Sequence, residues 1–221
     1  MWYRFWEPIQ LSITITFAAS VIVILAGTLL GYLFARKKFK FKVLLETLFM
    51  LPLVLPPSVI GFLLIVIFGN QSMIGKLIKS IFGHSMIFSW YAAVIAASVV
   101  AFPLMFQTAK AGFQGIQREI EEAAIDLGAS RRQVFIRVSL PLAKKAVLAG
   151  CILSSARALG EFGATLMFAG NIPGVTQTVP TAIYMAIDGG DMFLAWAWVI
   201  TMTIFAFFLL YIVRSKENGS D

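Results

Sequence analysis

Five long apolar runs limit what this chain can fold into more than any other feature of its sequence. They cover about residues 9–35, 43–68, 86–109, 146–169 and 192–213. About 20 apolar residues of helix cross the hydrocarbon core of a bilayer, and each run reaches that length. Only 13% of the 221 residues are charged while 59% are hydrophobic, which leaves too little polar surface for a soluble domain of this size. The sequence therefore predicts an all-α integral membrane protein, a single domain of about five transmembrane helices.

Lys and Arg residues are distributed unevenly among the segments between these runs. If the five helices alternate in direction, fourteen of the eighteen Lys and Arg residues fall on one side, in segments 36–42 and 110–145 and in the tail. Three fall on the other side, and Arg157 lies inside the fourth run. Because Lys and Arg accumulate in cytoplasmic loops, we expect the N-terminus outside the cell and the C-terminus in the cytoplasm. Membrane topology thereby accounts for the net charge of +7, and we expect a lipid bilayer and no nucleic acid around this chain.

The second apolar run contains the stretch LPLVLPPSVIG, with proline at positions 52, 56 and 57. A proline inside a helix removes a backbone hydrogen bond and kinks or breaks the helix. In a membrane, such a break is tolerated where neighbouring helices or water satisfy the freed carbonyl groups. Two interpretations stay open: a broken helix around Pro56 and Pro57 lines a pathway, or the kink serves packing alone.

The connector 110–145 is cytoplasmic by the charge distribution, and its local signals predict two short helices. The first runs from about residue 114 to 127, with five apolar residues on one stripe: Ile116, Ile120, Ala123, Ala124 and Leu127. Gly128 suits the left-handed turn that ends a helix. Ser130 and Gln133 then fit a capping box that opens a second helix through about Arg137. Four acidic residues in the first helix fit poorly with an anionic lipid surface, so we expect a protein partner.

The same connector resembles the EAA loop of binding-protein-dependent ABC importer permeases. The family pattern is E-A-A, three residues, G, nine residues and I-x-L-P, and only Val138 in place of isoleucine departs from it. The resemblance implies the type I permease (MetI-like) fold in a prokaryotic inner membrane. It also implies a coupling helix that docks on a separate ATPase subunit, with these residues: Glu122, Ala123, Ala124, Gly128, Leu140 and Pro141.

Three further stretches are similar to molybdate-type permeases of this family: LPLVLPPSVIGFLL (51–64), ARALGEFGATLMFAGNIPG (156–174) and TQTVPTAIY (176–184). The resemblance implies an ATP-driven importer of an oxyanion, molybdate or tungstate, with two ATPase subunits and an extracytoplasmic substrate-binding protein. Five spans form too small a wall for a central pore, which favours a homodimer. Part of the middle stretch is also similar to sulfate-type permeases, so a sulfate or thiosulfate permease stays open as the alternative.

Other functions would require residues that the sequence lacks. It contains no G-x-x-x-x-G-K-[ST] phosphate-binding loop, so we expect ATP hydrolysis in a partner subunit and neither enzymatic activity nor a cofactor in this chain. One His and one Cys predict no metal site. An intramembrane enzyme would need convergent catalytic groups, which the apolar runs do not offer. A secondary transporter is a more remote alternative, which would not need the coupling motif.

Arg157 and Glu161 are two ionisable residues near the middle of the fourth apolar run. A charge at such a depth costs ~2.5–3.5 kcal/mol of insertion free energy. A spacing of four places both residues on one helix face, where they can pair. They form either a gate or a pair that only neutralises itself, and both interpretations stay open. The other candidates to line a pathway supply hydroxyl groups or freed carbonyl groups: Ser154, Ser155, Thr165, Pro56 and Pro57.

Overall fold

The computed structural model describes residues 2–218, and the side chains within residues 4–208. Helices make up this described chain, which contains no strand. In chain order they are α1 (Trp2–Arg36), α2 (Lys42–Val54), α3 (Pro57–Phe68), α4 (Met73–Phe82), α5 (Trp90–Gln114), α6 (Arg118–Asp126), α7 (Arg131–Val134), α8 (Leu140–Leu142), α9 (Lys144–Leu159), α10 (Gly163–Ala169), α11 (Val179–Asp188) and α12 (Met192–Asn218). A π-helical turn, Phe135–Ser139, joins α7 to α8.

The contact between α1 and α5 forms the centre of the fold, and α9 packs on both helices. Small residues make this close approach possible. A Cβ atom added to Gly27 would lie 2.6 Å from Met105 Cγ, and one added to Gly31 would lie 2.9 Å from the backbone nitrogen of Lys110. Such contacts hold helices together in a membrane, where water does not drive their association.

Two continuous helices are long and apolar enough to cross a membrane, Arg4–Arg36 and Trp90–Gln114. Two pairs of shorter helices meet the same criteria together but are bent, α3 with α4 by 64° and α9 with α10 by 57°. A further apolar helix, Met192–Phe208, is shorter. The first and third apolar runs are therefore single helices, and the division of the whole chain into five spans within one domain stays a prediction.

The second and fourth apolar runs are not single helices. α2 ends at Val54, Leu55 is extended, and α3 begins at Pro57, because consecutive prolines offer no N–H groups to continue a helix. The predicted break at the prolines is thus confirmed. The expectation of one uninterrupted helix in the fourth run is wrong, since α9 ends at Leu159 and α10 begins at Gly163.

Two helices, α4 and α11, lie in segments that the sequence analysis assigns to connectors. α4 begins after Ser72, whose Oγ accepts the N–H of Gly75 at 2.8 Å, and it ends at Gly83 with φ 76°. Serine before a helix and glycine after it are ordinary helix boundaries, so the signals for α4 were present in the sequence. α4 packs on α3 and leaves most of its apolar residues exposed.

The N-terminal half of α1 holds a second, smaller core that joins it to α11 and α12. Ser12 Oγ accepts the N–H of Val179 at the start of α11, at 2.8 Å. Trp198 of α12 donates its indole N–H to the carbonyl oxygen of Phe5 at 3.0 Å. One long helix thus contacts α11 and α12 near its start and α5 and α9 over the rest of its length.

Replacing Gly31 with valine should destabilise the contact between α1 and α5. The added side chain would meet Ala109 Cβ and the backbone nitrogen of Lys110, both 2.9 Å from the position of a Cβ atom. Overpacking of this kind costs about 1–3 kcal/mol, so we expect a lower melting temperature of the detergent-solubilised protein by tryptophan fluorescence. Leu29→Val, at a residue of the same helix that is 51% exposed, is the control and should melt like the parent. Unchanged melting of Gly31→Val would contradict the packing.

Candidate functional site

The connector between α5 and α9 folds as a helix–turn–helix elbow, residues 118–134. Gly128 follows α6 with φ 90°, a left-handed conformation that glycine adopts without strain. The capping box that opens α7 is present, since the N–H of Ser130 donates to Gln133 Oε1 at 2.8 Å and the N–H of Gln133 donates to Ser130 Oγ at 3.4 Å. The predicted turn at Gly128 and the predicted capping box are thus confirmed.

The predicted bounds of the two elbow helices are wrong. The first helix begins at Arg118 and not near residue 114, because α5 continues to Gln114 and a turn separates the two. The second does not end near Arg137, because α7 continues as the π-helical turn and α8. A nearly continuous helical path therefore leads from the elbow into α9.

α6 and the start of α8 present the predicted coupling residues at or near the surface. The exposed ones are Glu122, Ala123, Gly128 and Pro141, and the half-buried ones are Ala124 and Leu140. Leu127, beside them, is 89% exposed. The predicted apolar stripe therefore faces outward for most of its length, and Ile116 is its one buried member. Ile120 and Ile125 of α6 are also exposed, at 44% and 45%, and several exposed apolar residues on one element suit contact with another protein.

Glu121 is a residue of this elbow that the sequence analysis missed. It precedes the motif residue Glu122, but it points inward, is 8% exposed and pairs with Arg36 at the end of α1. Adjacent residues of a helix lie about 100° apart, so two neighbouring glutamates face different surroundings. The orientation of α6 about its own axis decides which of the two glutamates is buried. The sequence analysis predicted the start of that helix four residues too early and did not define this orientation.

The two broken membrane helices meet where each of them is interrupted. A Cβ atom added to Gly163, the first residue of α10, would lie 2.8 Å from Cβ of Pro57, the first residue of α3. One turn further along α3, a Cβ atom on Gly61 would lie 3.1 Å from the backbone of Ala164. α3 and α10 therefore cross in direct contact, and the proline break lies beside the break that contains Glu161.

Arg157 and Glu161 form an ion pair, as predicted, with Nη1 2.7 Å from Oε2. They do not share one continuous helix, since Glu161 lies in the break after Leu159. Its other oxygen, Oε1, accepts the N–H of Ala164 at 2.7 Å and so satisfies a free amide at the start of α10. The side chain of Glu161 is 1% exposed and that of Arg157 is 30% exposed. The carboxylate is thus shared between a guanidinium and a helix end, while the guanidinium keeps an exposed edge.

The three hydroxyl residues predicted to line a pathway make contacts within the chain. Ser154 is buried and its Oγ donates to the carbonyl oxygen of Cys151 at 3.2 Å. Thr165 is 1% exposed. Ser155 accepts from Ser20 Oγ at 2.9 Å, beside an apolar groove between α1, α9 and α12. Since the chain encloses Ser154 and Thr165 in this conformation, their part in a pathway stays a prediction.

The model of one protein family, described as binding-protein-dependent transport system inner membrane component, matches residues 27–216. The chain belongs to this family. It is 57% identical over 215 residues to YvgM of Bacillus subtilis (strain 168), which carries a provisional name as a molybdenum transport system permease protein, with 97% of this chain and 95% of the relative covered. It is 41% identical over 188 residues to ModB of Escherichia coli (strain K12), named a molybdenum transport system permease protein, with 84% and 82% covered.

The fold is similar to that of a solved ABC transporter. The inward-facing MetNI methionine ABC transporter matches with a TM-score of 0.65 and 16% sequence identity, over 96% of this chain and 93% of the matched chain. Together with the family, this similarity confirms the predicted all-α, MetI-like membrane fold. The chain is a multi-pass permease component of an ABC import system, and members of this family are not themselves the catalytic subunits.

Arg157→Met and Glu161→Gln should each destabilise the protein more than both changes together. Either single change leaves a polar or charged group without its partner at a largely buried site, which costs about 3–5 kcal/mol. In the double variant no charge remains, and an amide oxygen at position 161 still accepts the N–H of Ala164. Melting temperatures of the solubilised variants measure the difference. A double variant that melts below both single variants would show that the two charges do not stabilise each other.

Proposed function

We propose that this chain is the pore subunit of an ATP-driven importer for an oxyanion, molybdate or tungstate, and that it binds a separate ATPase subunit through α6. The observation that carries the proposal is the elbow, because the motif residues Glu122 and Ala123 lie on its exposed face. The names of YvgM and ModB support a molybdenum oxyanion as the substrate. The chain itself contributes no cofactor and no catalytic group.

Arg157 supports a pathway between two copies of the chain. Its side chain is 30% exposed although it belongs to a bent membrane helix pair, and an arginine that faces lipid at mid-depth costs ~2.5–3.5 kcal/mol. Its exposed edge is more stable against water or a second subunit. In a homodimer with both Arg157 faces turned to the shared axis, two guanidinium groups and the carbonyl groups freed near Pro56 and Pro57 give a dianion a polar route.

We assign the ion pair of Arg157 with Glu161 to the gate of this route. A gate requires the guanidinium itself, whereas a scaffold requires only that no charge is left unpaired. The double variant Arg157→Met with Glu161→Gln therefore distinguishes the two roles. If the pair is a gate, uptake falls although the protein stays folded; if the pair is a scaffold, uptake stays near that of the parent.

We place the elbow and the C-terminus in the cytoplasm and the N-terminus outside, because fourteen of the eighteen Lys and Arg residues then lie inside. The two elbows of a homodimer then face two ATPase subunits, and an extracytoplasmic binding protein delivers the anion on the other side. ATP binding closes the ATPase pair, draws the two elbows together and opens the pore outward. The path from α6 through α7 and α8 into α9 brings this displacement to the break beside Glu161.

Gly128→Ala should weaken coupling while the protein still folds. Gly128 has φ 90°, and no atom lies within 4 Å of an added Cβ, so the substitution strains the elbow backbone without a collision. A left-handed backbone costs an ordinary residue roughly 1–2 kcal/mol. The free elbow relieves this strain by leaving the turn and docking has to restore it, so the same free energy corresponds to about tenfold in the binding constant. We expect about tenfold weaker binding of the ATPase subunit and a matching loss of substrate-stimulated ATP hydrolysis.

Gly83→Ala is the matched control for this substitution. Gly83 also has a positive φ, 76°, and no atom within 4 Å of an added Cβ, but it ends α4 and not the elbow helix. It should therefore add a similar strain without a change in ATPase binding or hydrolysis. Equal effects of the two substitutions would remove the elbow from the coupling mechanism.

The substrate is decided by competition in the assembled system. Vesicles that contain this chain, its ATPase and its binding protein should take up labelled molybdate or tungstate when ATP is enclosed in the vesicle lumen. The lumen corresponds to the cytoplasm in this arrangement. A large excess of sulfate should leave this uptake nearly unchanged. Strong suppression by sulfate would favour a sulfate or thiosulfate permease, and uptake that follows an ion gradient without ATP would favour a secondary transporter.

A further inference from the structure

Three elements of the fold meet at one buried carboxylate, that of Glu121. Arg36, the last residue of α1, contacts it with two nitrogens, Nε at 2.7 Å from Oε2 and Nη2 at 2.9 Å from Oε1. Ser139, at the end of the π-helical turn, donates its hydroxyl to Oε1 at 2.6 Å. Glu121 is 8% exposed and Ser139 is fully buried. We call Arg36, Glu121 and Ser139 the clamp.

The geometry of the clamp holds the Arg36 guanidinium against both oxygens of the Glu121 carboxylate. The guanidinium donates one charge-assisted hydrogen bond, from Nη2 to Oε1, and its Nε lies in ion-pair contact with Oε2, so both carboxylate oxygens face the same cation. Both charges are largely buried, with 14% of the Arg36 side chain and 10% of the Glu121 side chain exposed. Separation of the two would leave a largely buried charge without its partner, which is strongly unfavourable. α6 therefore cannot move away from the end of α1 at low cost.

The π-helical turn completes the clamp on its third side. The hydrogen-bonded ring of a π-helix contains one residue more than that of an α-helix. Ser139, at the end of this turn, reaches Glu121. Insertions of this kind in a helix occur frequently at functional sites. The turn leads through α8 into α9, so the same carboxylate connects the elbow to α1 and to the entry of α9.

We propose that Arg36, Glu121 and Ser139 are positioning residues that make α1 move together with the elbow during transport. The chain itself connects the elbow only to α5 and α9. α1 reaches further, because Ser12 and Phe5 near its start hold α11 and α12. A displacement of the elbow thus passes through the clamp and α1 to α11 and α12, which have no short covalent connection to the elbow. The part of this inference that concerns transport rests on the proposed function; the mechanical connection does not.

The connection is tested first on the permease alone, in lipid, by hydrogen–deuterium exchange. Glu121→Gln keeps the shape of the side chain but turns an amide donor toward the guanidinium, so one charge-assisted bond is lost. We expect about tenfold faster exchange or more in the peptides of α6, the range expected for the loss of such a bond. Ser139→Ala removes only the neutral donor and should accelerate the same peptides by a smaller factor. Unchanged exchange of α6 in Glu121→Gln would overturn the clamp.

Glu46→Gln is the matched control. Glu46 forms the ion pair with Lys110 that joins α2 to α5, at 2.8 Å and with side chains that are 22% and 14% exposed. The same chemical change there also breaks a largely buried pair, but neither residue of that pair belongs to the clamp or to the elbow. Exchange of α6 should therefore match that of the parent. Equal acceleration of α6 in Glu46→Gln would mean that general loosening explains the effect, and it would overturn the clamp.

The second measurement uses the full complex with ATPase and binding protein, and it counts anions transported per ATP hydrolysed. A residue that only stabilises the fold changes the amount of active complex and leaves this ratio unchanged. We expect the ratio to fall several-fold in Glu121→Gln. Arg36→Lys should be intermediate, because it keeps the charge and loses the simultaneous contact with both carboxylate oxygens. An unchanged ratio would overturn the role in transport. Absence of ATP-driven uptake by the parent complex would instead reject the proposed function, and the exchange experiment would still decide the clamp.

Discussion

A helix that breaks inside a bilayer must find hydrogen-bond partners for the groups that the break frees, because lipid offers none. This constraint bears on both breaks, which lie together where Pro57 meets Gly163. Pro56 and Pro57 stay exposed in the single chain. At the second break, the carboxylate of Glu161 accepts the N–H of Ala164. A charged acceptor at this depth in turn needs Arg157, so the deepest ion pair follows from the broken helix.

The described part of the chain contains three ion pairs, which join α1 to α6, α2 to α5, and α9 to the break before α10. The pairs are Arg36 with Glu121, Glu46 with Lys110, and Arg157 with Glu161. Largely buried pairs add little net stability but resist separation strongly, because removal of one partner strands the other. They therefore specify which helices stay together when the protein changes shape. α4 has no such pair among the described residues, and Gly75 is its one buried residue.

The sequence predicts most of the architecture because the lipid bilayer imposes simple rules. Run length predicts the two continuous helices that are long enough to cross a membrane, α1 and α5, and the consecutive prolines predict the break before α3. The break before α10 has a weaker local signal, because Gly160 ends α9 and Gly163 begins α10 but a single glycine is also tolerated inside a helix. Arg36 shows a second limit. Its position in a positive cluster predicts sidedness, but its individual partner depends on the register of α6, which only the folded chain defines.

The clamp and the ion pair of Arg157 with Glu161 lie at opposite ends of the helical segment formed by α8 and α9. Ser139 precedes α8, and Arg157 and Glu161 lie at the far end of α9, a helix of 16 residues that spans about 24 Å at the usual rise. Small residues line its contact with α5: a Cβ atom added to Gly112 would collide with Ala146, and one added to Gly150 would lie 2.9 Å from Met105 Sδ. In the proposed mechanism, a displacement at the elbow is passed along this uninterrupted helix to the break after Leu159, where the helical hydrogen-bond pattern is interrupted.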